Sequence, residues 1–154
     1  MKTNMDMNQP HGEAMVQGFR SPAVARIAGT VATAAFLLAI GLQLLLALGV
    51  LPVTLAWGGT QSVLTTPLRL AHVAAAVILG VSATVIRRRA GLSAGTHPSR
   101  RITILAWVLT IFLALNTLGN VASSSIGERI LFGPLSLVLA LACLLVAASN
   151  SKLD

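Results

Sequence analysis

The stretch IAGTVATAAFLLAIGLQLLLALGV, residues 27–50, decides how this chain is read: 24 residues without one formal charge. An α-helix rises about 1.5 Å per residue, so roughly 20 apolar residues cross a hydrocarbon core about 30 Å thick. Three further runs repeat the pattern, at residues 68–86, 102–122 and 130–148. Arg69 is the one charge within the first two runs, and it sits at the edge of the second. Lipid offers the backbone no hydrogen bonds, so runs this long are expected to be helical. Short connections make sequence neighbours antiparallel. The expected fold is all-α: an integral membrane four-helix bundle, up-down-up-down.

The rest of the chain fits that frame. The 154 residues are 55% hydrophobic, with a mean hydropathy of +0.84. No segment outside the runs is long enough to fold as a separate soluble domain, which takes roughly 50 residues. Residues 1–20 read as a disordered tail and residues 21–149 as one four-span domain. The first run is too long for a secretory signal core of about 7–15 residues, so it is expected to stay in the protein. Ser21-Pro22 and Thr66-Pro67 are cap-then-proline helix starts. Trp57, followed by Gly58-Gly59, suits an interface with its ring in lipid and its N–H in water.

The net charge of +7 is explained by orientation. With the N-terminus in the cytoplasm, Lys2, Arg20, Arg26, Arg87, Arg88, Arg89, Arg100, Arg101 and Lys152 lie inside. Arg69 and Arg129 alone lie outside, nine cations against two. That asymmetry follows the positive-inside rule. Both termini are therefore expected in the cytoplasm, with the chain multi-pass in a cell membrane of the bacterial plasma-membrane kind. Arg87, Arg88, Arg89, Arg100 and Arg101 either meet anionic headgroups, at about 1 kcal/mol each, or only fix orientation. Nucleic acid is not an expected partner, because no aromatic residues interleave with the cations.

Polar residues inside spans are expensive, so their positions carry information. Gln43 lies in the outer part of the first span and His72 near the outer end of the second. Asn116 and Asn120 lie in the outer half of the third, four residues apart and so on one helix face. Arg69, Glu128 and Ser123-Ser124-Ser125 sit just above them. These residues form either an outward-facing polar pocket around His72 or a set of interhelical hydrogen bonds worth roughly 0.6–2 kcal/mol each.

Enzymatic readings find no support. Cys143, the single cysteine, lacks a histidine at its depth. Glu128 is the one outer carboxylate, so no acid–base pair forms. Zinc needs three or four ligands, and His72 has no companions. Met5, Met7, His11 and Met15 have no repeat suited to Cu(I). A haem held between facing histidines needs a second ligand. A weak repeat relates Pro67-Leu68-Arg69-Leu70 to Pro134-Leu135-Ser136-Leu137, and it would put that ligand at Leu139. His11 and His97 are on the wrong side. No catalytic residue, metal or cofactor is expected.

Gly29 and Thr33, Ala71 and Ala75, and Ala76 and Gly80 are small-xxx-small pairs that let helices approach closely. The expected partners are the lipid bilayer and either another membrane protein or a second copy of the chain. The functional expectation is an accessory or interaction subunit in the membrane. The alternative is a small binding or transport protein built on the His72 pocket, and a haem- or quinone-associated subunit is more distant.

Overall fold

The computed structural model describes residues 21–94 and 99–149. The expected tail at residues 1–20, His97 and the polar end at 150–154 lie outside the described residues. Among those described there are four long helices and no strand. The helices are α1 (Pro22–Leu48), α2 (Thr66–Arg89), α3 (Arg100–Ala122) and α4 (Gly133–Ala148). Each of α1, α2 and α3, and α4 taken with the turn before it, is long and apolar enough to cross a membrane.

The helix ends follow from local chemistry. Ser21 Oγ accepts the Val24 N–H at 3.3 Å, and Pro22 opens α1. Proline costs nothing there, because a first-turn N–H has no helical partner. The apolar run extends to Val50, but α1 stops at Leu48 because Gly49 turns left-handed, φ 77°. The Val50 N–H then returns to Leu45 O at 3.0 Å. The cap of α2 is Thr65 rather than Thr66, and its side chain makes no capping bond. Ser99 Oγ accepts from Ile102 N at 3.4 Å to start α3.

The start of the last helix differs from the expected simple span. Glu128–Phe132 form a π-turn, in which the Gly133 N–H reaches back five residues to Glu128 O. Pro134 explains this. It has no N–H to offer the carbonyl four residues earlier, so the preceding turn widens.

Side-chain contacts show which helix ends meet. Gln43, late in α1, bonds His72, early in α2. Asn120, late in α3, bonds Ser136, early in α4. These four positions share one end of the bundle, the cluster end. Arg89, last in α2, bonds the end of α4 at the opposite, arginine end.

Packing is uneven. α1 lies closely on α2 and on α4, and α3 lies closely on α4, while α2 and α3 meet only sparsely. The buried cluster is rich in alanine, with Ala28, Ala32, Ala35 and Ala39 from α1 and Ala140, Ala142 and Ala147 from α4. Phe36, Cys143 and Val146 fill its centre with no exposed surface. Gly29 shows how tight the fit is: a Cβ there would collide with the Cβ of Ala90. Two hairpins, α1–α2 and α3–α4, are thus joined along α1 and α4 and parted along α2 and α3.

Candidate functional site: a side-opening cleft at the cluster end

His72 is the hub of the cluster end. It sits in the second turn of α2 and is 3% exposed. Its Nε2 accepts the Trp57 indole N–H at 3.2 Å. The rings meet edge to face, with centroids 5.9 Å apart. Indole is only a donor, so a neutral ring carries its proton on Nδ1. That nitrogen then donates to Gln43 Oε1 at 2.7 Å. Both ring nitrogens are engaged. An axial-ligand role for His72 would require Nε2 to give up Trp57.

Trp57 reaches His72 through a loop with unusual backbone. Trp57, Gly58 and Gly59 all have positive φ, at 56°, 68° and 73°. Glycine takes this conformation freely, whereas for tryptophan it costs of order 1–3 kcal/mol. Several bonds hold the loop in place. The Gly58 N–H donates to Glu128 Oε1 at 3.1 Å, and Ser124 Oγ donates to Gly58 O at 2.8 Å. Ser125 Oγ donates to Thr54 O at 3.1 Å. Gly127 permits this contact, because a Cβ there would lie 2.9 Å from Leu55 Cα. The first connection therefore lies across the end of the bundle, fastened to the second. The Trp57 N–H, expected to be wet, is bonded to His72 instead.

Beneath this roof is a cleft of roughly 690 Å³, its open mouth included. Ala71, His72 and Ala75 of α2 line one side and Asn116 and Asn120 of α3 the other. Gln43, Trp57, Glu128 and Phe132 complete it. Two of its walls thus come from α2 and α3, the helices that meet only sparsely.

The polar residues differ in how they are used. Asn120 Nδ2 donates to Ser136 Oγ at 3.2 Å and to Phe132 O at 3.4 Å. Its Oδ1 faces no donor among the described residues. Glu128 uses one carboxylate oxygen on Gly58 and makes no ion pair among the described residues. Asn116 is exposed in the cleft and makes no hydrogen bond to any described residue. An amide without a partner on an apolar helix is costly unless something outside the protein satisfies it.

Two arginines have other places than those expected. Arg69 does not line the cleft. Its Nη1 donates to Ala47 O at 3.1 Å, in the last turn of α1. Arg89 is not at the surface with Arg87 and Arg88. It is 6% exposed, and its Nη2 donates to Ala147 O at 3.2 Å and Ser149 O at 2.7 Å. In each case a guanidinium satisfies the orphan carbonyls and negative dipole at a helix C-terminus. Arg89 Nε and Nη1 are buried without partners. Arg87, Arg88, Arg100 and Arg101 are exposed.

Sequence reasoning missed Trp57, Phe132 and Ser136 as parts of the site. Nothing in their spacing signals the cleft, although Ser136 falls two residues after Pro134, near the depth of Asn120. No group of three or more His, Cys, Asp or Glu residues able to hold a metal occurs among the described residues. Comparison with protein-family models, with curated proteins and with solved structures finds no match.

Proposed function

We propose that this is a non-enzymatic binding protein of the membrane, with both termini in the cytoplasm and the cluster end in the outer half of the bilayer. Its ligand reaches the cleft sideways, between α2 and α3. The observation that carries this reading is Asn116, a carboxamide without a partner among the described residues, on the wall of a cleft that also holds Gln43, His72, Asn120 and Glu128. Interhelical bonding accounts for His72, Gln43 and Asn120, each of which has a protein partner. It does not account for Asn116. In this reading Trp57, His72 and Gln43 form the frame, and Asn116 is a ligand contact.

Asn116→Leu separates binding from structural glue. With no protein bond to lose, the variant should unfold at the wild-type temperature or above. It should also lose whatever small molecule wild-type protein retains in native mass spectra after mild detergent extraction. Wild-type protein that carries nothing beyond bulk phospholipid would overturn the reading, as would a variant that retains the same molecule equally. For orientation, a reporter active only in the cytoplasm should work at Ala94 and fail at Gly59.

A second proposal is packing against a further membrane protein as an accessory subunit. It is favoured by an exposed apolar stripe on α3, made by Ile104, Val108, Ile111, Leu115 and Leu118. A crosslinked partner recovered through this stripe in native membranes, and lost on Ile111→Lys, would establish it.

A further inference from the structure

We infer that the cleft takes an uncharged, single-tailed lipid: an oxygen-bearing head among Asn116, Asn120 and Gln43, with its chain along the seam between α2 and α3. This rests on the binding reading above and adds the class of ligand.

Three hollows follow one another along the bundle and share lining residues. The polar cleft shares Gln43, Ala75, Asn116, Asn120 and Phe132 with a second hollow beneath it. That hollow shares Ile78 with a third, lined by Val77, Val81 and Val85 of α2 and Leu105, Val108 and Leu109 of α3. The third is apolar throughout. Its one hydroxyl, on Ser82, is spent on Ile78 O at 2.8 Å. From Asn116 to Leu105 the helix rises about 16 Å, at about 1.5 Å per residue. This third hollow is a groove with one helix on each side. A polar pocket leading into such a groove matches a head on a single long tail.

Charge selects the head. Among the described residues that line these hollows, Glu128 is the only charged one. The nearest arginine in sequence on α2, Arg69, is turned to Ala47 O. Arg129, next to Glu128, is exposed and lines none of the three hollows. A phosphate or carboxylate head in the cleft would meet a carboxylate and no counter-charge among the lining residues, and like charges disfavour one another in a low dielectric. Among the described residues, the groups in the cleft without a hydrogen-bond partner are instead amides: both ends of Asn116, Asn120 Oδ1 and Gln43 Nε2. Amides donate and accept, which suits hydroxyl and carbonyl oxygens. The aromatic residues Phe132 and Trp57 border the same space. Two sources carry this chemistry, a ring-headed isoprenoid of the quinone type and a glycerol-headed monoacyl lipid.

The test uses the full chain in nanodiscs of zwitterionic phospholipid, with tryptophan fluorescence and native mass spectrometry as readouts. The probes are an alkyl benzoquinone, monoolein, and oleate as the anionic control. At least one uncharged probe should bind tenfold or more tighter than oleate, and which one binds identifies the source. Val81→Trp and Val108→Trp fill the seam from opposite walls, so one folded variant suffices. Each should weaken binding at least tenfold, while Ile111→Trp on the outer flank should not. Oleate binding as tightly as both uncharged probes would overturn the ligand class while leaving the binding reading intact. Unchanged affinity in a folded seam variant would overturn the tail placement alone. If none of the three probes binds to wild-type protein, the inference falls; the binding reading falls with it only if wild-type protein also retains no small molecule beyond bulk phospholipid in native mass spectra.

Discussion

The α1–α4 seam and the α2–α3 seam are both built from helices apolar enough to cross a membrane, yet one is shut and the other open. The first is lined with alanine, and its helices approach until Phe36 and Cys143 have no exposed surface. The second presents Val77, Val81, Leu105 and Val108, all largely exposed. Helices in lipid gain little from hiding apolar surface, because the tails outside are equally apolar. They gain from close contact, and small residues allow it. β-Branched and leucine side chains hold two backbones apart and leave a groove between them. Both linings are apolar, and residue size separates the structural seam from the candidate binding seam.

The largest effect that would break this contrast lies in the shut seam. Phe36→Ala should cost about 3 kcal/mol, the low end of the range for such truncations, since lipid outside removes part of the transfer term. Thermal unfolding in detergent micelles measures it. A loss no larger than that of an exposed residue would show that the alanine seam is not the core.

Next come the residues that tie the ends. His72→Leu leaves the Trp57 N–H and Gln43 Oε1 without partners, and Arg89→Gln releases the carbonyls of Ala147 and Ser149. Each should cost roughly 1–3 kcal/mol. The double change of Arg87 and Arg88 to Gln should stay within about 0.5 kcal/mol. Equal losses from the exposed pair and from Arg89 would contradict the capping role.

Trp57→Phe keeps the ring and deletes the N–H, so about 1 kcal/mol is expected. It should also raise protease cleavage of the loop between Ala56 and Thr60 in outside-facing vesicles. Undiminished protection would mean that the serine and Glu128 bonds suffice to hold the roof. The smallest effect belongs to the open seam: Phe112→Ala should change stability by no more than about 0.5 kcal/mol. A loss near that of Phe36→Ala would show that the groove walls bear on each other after all.

The four helices were legible because run length and lack of charge bear directly on what can lie in hydrocarbon. Ser21-Pro22 was legible for the same local reason, since a cap acts within one turn. The cluster of Gln43, His72, Asn116 and Asn120 was legible as a shared depth, which the helical rise supplies. Its internal division was not. Gln43 and His72 bond each other, Asn120 bonds Ser136, and Asn116 bonds nothing described. That depends on how each helix is rotated about its axis. The arginines misled for a related reason. A charge on a sequence carries no direction, and Arg69 and Arg89 turn toward helix C-termini that only folding brings near.

What the sequence determined by itself is the all-helical character, the number of long apolar helices and the position of each polar side chain along its helix. Those follow from composition and from a fixed rise per residue. The tertiary structure alone decided that the first connection roofs the bundle, that α2 and α3 stand apart, and that Asn116 lines the cleft without a partner among the described residues. Each depends on contacts between residues far apart in the chain, such as Gly58 with Glu128 and Gly29 with Ala90. Helix rotation and interhelical distance are set by packing at such contacts, and no local pattern encodes them.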